Sequence, residues 1–183
     1  MSEITYYPVE IAGIQRKLRL FQVKPGLKIA ILNILGDTEL VEAAAAALVQ
    51  KTSHLSFDVI VTAESKSIPL AYAFSVKSGV PYVVLRKDFK PYMGNALQAE
   101  TLSITTGKPQ TLFLDEKDLA LVKNKNILIL DDVISTGSTL EGMKTIIELA
   151  GGTIIAKAAI FTEGDQAEWA NIISLGHLPL FFE

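Results

Sequence analysis

The sequence predicts a doubly wound α/β domain: a mostly parallel sheet flanked by helices, with one inserted β-hairpin. Three observations carry that expectation. The apolar residues arrive in short, continuous, β-branched bursts. Helix-prone segments separate the bursts, and capping or breaking residues mark where those segments start and stop. Continuous runs suit strands buried on both faces, as in a parallel sheet, whereas a half-exposed strand alternates.

The elements follow in order. Asp37-Thr38 caps a helix over 39–51, where Ala43 to Ala47 combine high helix propensity with room for close packing. Val59-Ile60-Val61-Thr62 is a buried strand. Pro69 suits the first turn of a helix running towards Val76, ended by Gly79 and Pro81. Tyr82-Val83-Val84-Leu85 is the next strand, and Arg86 to Asn95, polar, aromatic and rich in lysine, reads as a mobile loop. Thr101 to Thr105 and Thr111 to Leu114 flank Thr106-Gly107-Lys108-Pro109 and read as two arms of a hairpin around a turn. Ile127-Leu128-Ile129-Leu130 is a third buried strand. A helix over 139–150 follows, apolar at 140, 143, 146, 147 and 150 and stopped by Gly151-Gly152. Thr153-Ile154-Ile155 returns to the sheet.

A chain of 183 residues suits one domain over 1–183, and that size buries about 70% of its unfolded surface. With 49% hydrophobic and 20% charged residues, intrinsic disorder is excluded. The balance of 17 basic and 20 acidic residues, net −3, offers no electrostatic surplus for nucleic acid or membrane, so neither is expected as a partner. Cysteine is absent and histidine occurs only at His54 and His177. Disulfides, thiolate catalysis, cysteine-ligated zinc and a histidine-rich metal site are therefore out. Met1 to Thr5 show no leader pattern, and no apolar stretch approaches the roughly 20 residues that span a bilayer. A cytoplasmic protein is expected.

The chemistry concentrates in Ile127 to Thr139. A buried strand delivers Asp131 and Asp132 to its carboxyl end, Ser135-Thr136-Gly137-Ser138-Thr139 follow, and a helix begins. Ligands of open α/β sheets bind at the carboxyl ends of strands. The loop's hydroxyls, its N–H groups and the positive end of the helix suit an anion, and Gly137 lets the backbone approach a phosphate without a Cβ in the way. Asp131 and Asp132 suit the vicinal hydroxyls of a sugar. The pattern describes a phosphorylated ribose, and neither a Walker loop nor a Rossmann glycine triplet competes with it.

This run resembles the 5-phosphoribosyl 1-diphosphate (PRPP) signature of type I phosphoribosyltransferases, and the likeness extends from about Ile31 to Ile160, nearest to purine-specific members. The resemblance implies a purine phosphoribosyltransferase of the salvage type, in which Asp131 and Asp132 are the catalytic acids and Ser135, Thr136, Gly137, Ser138 and Thr139 hold the 5-phosphate. Ser65 and Lys66, in Thr62 to Pro69, match the diphosphate loop. Arg86, Lys87 and Lys90 follow the next strand, where the family carries a basic residue for PRPP. The implied cofactor is Mg²⁺, bound mainly through PRPP with Asp131 or Asp132 as an added ligand. A homodimer is implied too, with Arg86 reaching the neighbour's PRPP. The hairpin matches the family's catalytic hood in position.

Two departures stand out. Lys66 and Ser67 replace the arginine and glycine common in adenine-specific relatives, and lysine lacks arginine's bidentate fork. Ile104-Thr105-Thr106-Gly107-Lys108 puts Thr105 where those relatives often carry a glutamate beside the base. Adenine is the expected base, xanthine the alternative. The segments 67–73 and 84–88 also resemble the PRPP-binding domain of purine repressors, so a sensor without turnover is the other expectation.

Overall fold

The computed structural model describes residues 4–102 and 109–182. In chain order the elements are β1 (Tyr6–Ile11), β2 (Ile14–Lys24), β3 (Leu27–Ile31), α1 (Thr38–Thr52), β4 (Val59–Ala63), α2 (Ile68–Ser78) and β5 (Tyr82–Leu85). Then come β6 (Leu97–Leu102), β7 (Pro109–Leu114), α3 (Leu119–Val122), β8 (Asn126–Ile134), α4 (Ser138–Leu149), β9 (Thr153–Glu163), β10 (Ile173–Leu178) and β11 (Phe181–Phe182).

The four continuous apolar bursts become β4, β5, β8 and β9 of a five-stranded parallel sheet in the order β10-β9-β8-β4-β5, in which β10 is a strand the sequence did not announce. Alternation along its strands sorts the core into two layers. Ile60, Leu128, Leu130, Ala158 and Ile160 face α1 and α2, while Val59, Val61, Ile127, Ile129 and Ala159 face α4 and the β6–β7 hairpin. All four residues of 127–130 are fully buried. Truncating any one to alanine in such a layer costs about 2–5 kcal/mol. The expected doubly wound class is the observed one.

The helix signals act as read. Asp37 caps α1 by accepting from the Leu40 N–H at 3.2 Å, and Ala44 and Ala45, fully buried, let α1 sit close against its neighbours. Pro69 stands in the first turn of α2, and Gly79 ends it in the left-handed region at φ +73, where only glycine is unstrained.

Three further features differ from expectation. First, β8 does not stop before the acids but continues through Asp131 and Asp132 to Ile134, pairing Asp131 with Ala159 and Ile134 with Thr162. Second, the stretch from Arg86 to Asn95 is not a loose loop. Glu64 holds its start and Glu116 its end, where the Asn95 N–H donates to Glu116 Oε2 at 2.6 Å, and Met93 between them is fully buried.

Third, residues 6–31 form an antiparallel sheet that the sequence reading did not foresee, ordered β1-β2-β3-β11. Ala12 and Gly13, both at positive φ, make its first two-residue turn. Arg16 fastens this sheet to α1. Its guanidinium donates to both Asp37 carboxylate oxygens at 2.7 and 2.8 Å and to Glu39 at 2.8 Å. Hydrogen bonds from Arg16 hold the Asp37 carboxyl below its ordinary range.

The hairpin is present as β6 and β7, antiparallel with Glu100 opposite Thr111. Thr105 and the expected turn around it lie outside the described residues.

Candidate functional site

The site is assembled from the carboxyl ends of β4, β5, β8 and β9. β8 carries on past the acids, and although alternation turns consecutive side chains apart, the two carboxyl groups still interact and Asp131 also reaches Ser67. Asp131 pairs in register with Ala159, a member of the α4-side layer. Asp131 also borders a small cavity of about 30 Å³ that it shares with Val133 to Leu140. Asp132 turns the other way and meets Lys66, whose Nζ lies 3.0 Å from Oδ2. The two acids thus have different protein neighbours.

Both carboxylates are buried, at 7% and 6% exposure. Burial first, and the Asp132 charge second, push the Asp131 carboxyl up to about 8. Its Oδ1 accepts the Asp132 N–H at 2.9 Å. Asp132 Oδ2 accepts no hydrogen bond. The Lys66 ammonium is near enough for charge compensation but off the angle of a hydrogen bond, and it donates instead to the Leu32 carbonyl at 3.2 Å.

The hydroxyl loop lies where the sequence puts it. Gly137, at φ +75, is the N-cap of α4 and provides no side-chain cap. The first-turn N–H groups have no partner within the helix and suit an anion. Thr136 and Ser138 share a hydroxyl hydrogen bond of 3.1 Å, Thr136 is exposed, and Ser135, Ser138 and Thr139 are half-buried. Glu141 in the same turn, a charge that opposes an anion, is paired with Lys144 at 2.9 Å. The structure adds a second reason for glycine at 137 besides the expected one. A Cβ there would also meet the Trp169 ring at 3.0 Å.

In the loop after β4, a buried relay fixes the turn. Thr62 Oγ1 donates to Ser67 Oγ at 2.9 Å, and Ser67 Oγ donates to the Ala63 carbonyl at 2.9 Å. The Glu64–Ser65 peptide is cis. Ser67 is therefore structural, while Ser65 and Lys66 stand exposed at the loop. Arg86 folds back on its own chain, with Nε donating to Glu64 Oε1 at 2.9 Å and a longer contact of 3.4 Å to Tyr92 Oη. The Lys87 N–H donates to Glu64 Oε2 at 2.9 Å, leaving the Lys87 side chain exposed. Lys90 is half-buried before the 3-10 turn Pro91–Met93. The structure brings Asp131 to the hydroxyl loop and Lys66 to Asp132. It does not bring Arg86, Lys87 or Lys90 onto either acid.

Three residues were missed in the sequence. Glu64 organises Arg86 and Lys87 together. Glu163, at 7% exposure, ends β9 with its carboxyl raised by burial, against which Lys66 acts, and forms no hydrogen bond through its side chain. Trp169 donates through Nε1 to the Glu163 carbonyl at 2.9 Å and lies against Gly137. An acid at the end of a buried strand is the signal that finds Glu163, since Asp131 and Asp132 were found in the same way.

Hard, buried carboxylate oxygens fit magnesium, and Asp132 Oδ2 is one without an accepted hydrogen bond. No cluster of three or more acidic or histidine side chains able to hold a cation occurs among the described residues. None of their helices is long and apolar enough to cross a membrane.

Comparison with known proteins places this geometry. The chain is 26% identical over 164 residues to the purine biosynthesis transcriptional repressor PurR of Bacillus subtilis, covering 87% of this chain and 57% of the repressor. It is 32% identical over 127 residues to a hypoxanthine/guanine phosphoribosyltransferase of Methanocella paludicola, covering 69% of this chain and 62% of that protein. The chain thus spans little more than half the length of these relatives. The adenine phosphoribosyltransferase structure from Thermoanaerobacter pseudethanolicus superposes with a TM-score of 0.68 at 20% identity, over 94% of this chain and 95% of that one, a likeness of fold. The model of the phosphoribosyl transferase domain matches residues 31–171, from the end of β3 beyond β9, and the chain belongs to that family.

Proposed function

We propose that the chain is a purine phosphoribosyltransferase that moves 5-phosphoribose from PRPP to a purine. The observation that carries this reading is the shared cavity of Asp131 and the Ser135–Thr139 loop, with Lys66 set against Asp132 on the other face of the same strand. A phosphate on the loop, a sugar at the acids and a diphosphate at Ser65 and Lys66 lie in the order in which PRPP carries them.

In the reaction the bond from C1 to the diphosphate oxygen breaks, and a purine nitrogen forms the new bond to C1. Diphosphate leaves with the electron pair, and the proton on the purine nitrogen passes to solvent. The protein holds the two anionic ends apart and places negative charge beside the sugar as it becomes cationic. Asp132, set against Lys66, is placed to supply that charge. Asp131, its carboxyl raised by burial, hydrogen-bonds the ribose hydroxyl nearest the phosphate loop. Magnesium would be held by PRPP oxygens with Asp131 or Asp132 as an added ligand, and when bound it offsets diphosphate charge.

Lys66 has a double part in this reading. On diphosphate binding it leaves Asp132, whose freed oxygen then accepts from the ribose. A homodimer with Arg86 directed to the neighbour's PRPP belongs to the same proposal, and requires Arg86 to release Glu64.

Adenine is the proposed base and xanthine the alternative. Diphosphate release, followed with PRPP and adenine, hypoxanthine, guanine or xanthine in turn, tests the proposal. A second reading, a PRPP-binding regulator without turnover, is favoured by Thr105 and by the likeness to the B. subtilis repressor. PRPP-dependent thermal stabilisation with no diphosphate released selects it.

A further inference from the structure

Gly137 is the pivot of the hydroxyl loop, and its free side is closed by an aromatic ring. A Cβ built there would lie 3.0 Å from Cη2 and 3.6 Å from Cζ3 of Trp169. The outer edge of the six-membered ring thus borders the side of Gly137 that a side chain would occupy. The far end of the indole is tethered, since Nε1 donates to the Glu163 carbonyl at 2.9 Å. That carbonyl belongs to the last residue of β9, whose register is fixed by pairing with Leu178. Trp169 also ends the 3-10 turn Gln166–Trp169, and its own carbonyl accepts the Ile172 N–H at 2.9 Å. Ring and backbone are both held by the edge of the parallel sheet.

An anion loop binds best when its donors already converge before the ligand arrives, because the cost of ordering them falls on folding instead of binding. Within this loop the Thr136–Ser138 hydroxyl contact is exposed and Gly137 has no side chain of its own. We propose that Trp169 is a positioning residue for the sugar phosphate: its indole is the rear wall that fixes the Gly137 turn and so preorganises the donors of Ser135 to Thr139. This rests on the reading of that loop as the 5-phosphate site. The wall acts at one end of PRPP only. The diphosphate loop is fixed by Thr62, Ser67 and Ala63, to which the indole is not tethered.

The test titrates ribose 5-phosphate and inorganic diphosphate separately into wild type, Trp169→Phe and Trp169→Ala, with thermal denaturation of each. Trp169→Ala should weaken ribose 5-phosphate about tenfold or more, equivalent to about 1.4 kcal/mol, and Trp169→Phe less. Diphosphate affinity should stay within about twofold in both, an energy difference of a few tenths of a kcal/mol. Trp169 is the sole tryptophan, so wild-type emission should shift with ribose 5-phosphate and not with diphosphate. Gly137→Ala should weaken ribose 5-phosphate, and the loss should shrink in the Trp169→Ala background, where the clash is gone and only the positive φ remains. Unchanged ribose 5-phosphate affinity in folded Trp169→Ala overturns the proposal, as do equal losses for both ligands. If Trp169→Ala does not fold, a silent emission titration together with unaltered binding in Trp169→Phe overturns it instead. Folded wild type that binds no ribose 5-phosphate overturns the phosphate-loop reading beneath it.

Discussion

The ammonium of Lys66 stands 3.0 Å from Oδ2 of Asp132, so a cation on the loop after β4 balances a buried carboxylate on β8. PRPP would engage both groups, one at its diphosphate and one at its sugar. Opening the pair for diphosphate alone would strand a buried charge, which is costly unless new donors replace the ammonium. Ribose hydroxyls are such donors.

Diphosphate should therefore bind more tightly when ribose 5-phosphate already saturates the protein, and the reverse by the same factor, with a coupling of about 1–3 kcal/mol. Calorimetry with and without the second ligand measures it. Lys66→Met should remove the coupling as well as weaken diphosphate. Identical diphosphate affinity in both titrations would mean that the pair never opens.

The different partners of the two acids predict unequal mutants. Asp132→Asn should lower kcat by about 10²-fold or more with a smaller change in the KM for PRPP, the pattern of a group that stabilises developing charge. Asp131→Asn should act mainly on the KM for PRPP, because the amide can still hydrogen-bond beside the phosphate loop. Wild-type kinetics in both would leave the acids as strand residues only.

Asp131 also predicts a pH dependence of stability. Its carboxyl is raised in the folded protein to about 8, chiefly by burial, while in the unfolded chain it titrates near its ordinary 3.8. Between those values the folded state binds more protons, so stability falls as pH rises from about 4 to 8 and levels off above. Glu163, also raised by burial, acts in the same direction. Denaturant titrations of Asp131→Asn across that window should show a slope shallower by up to about 1.4 kcal/mol per pH unit. A slope equal to wild type would contradict the assignment.

Thr105 bears on the base. General acid–base help is worth typically about 10²–10⁴-fold. If adenine is the substrate, Thr105→Glu should raise its turnover. Xanthine as the sole substrate of wild type removes the adenine assignment, and no turnover with any purine shifts the reading to a regulator.

Sedimentation at working concentration should show a dimer, and Arg86→Ala should raise the KM for PRPP. A fully active monomer would exclude the cross-subunit role of Arg86.

Much of this was legible because the governing residues are sequence neighbours. Val59 to Thr62, Tyr82 to Leu85, Pro69 and Gly79 set their elements locally, and the Asp131 to Thr139 run carries strand, loop and helix start together. The reach of β8 was hidden because aspartate is a poor strand former, so Val133 and Ile134 looked detached from the strand. In β2 the inward positions 14, 16, 18 and 20 include Arg16, whose charge masks the alternation of Ile14, Leu18 and Leu20. Trp169 against Gly137, Glu64 under Arg86 and Lys66 on Asp132 join distant residues, and no spacing rule reports such meetings.

The antiparallel sheet has a consequence for the order of events during synthesis. Its fourth strand, β11, is made after the other three, yet Phe181 pairs with Lys28 and sets its ring 5.1 Å from that of Tyr7. The β1–β2–β3 meander is made before the parallel sheet, with an edge that stays open until translation has passed that whole sheet. A nascent chain in that interval exposes an unpaired strand beside β3, the sort of edge on which partly made chains associate. Arg16, by fastening the meander to α1 as soon as that helix has formed, shortens the time for which the sheet is left without its body.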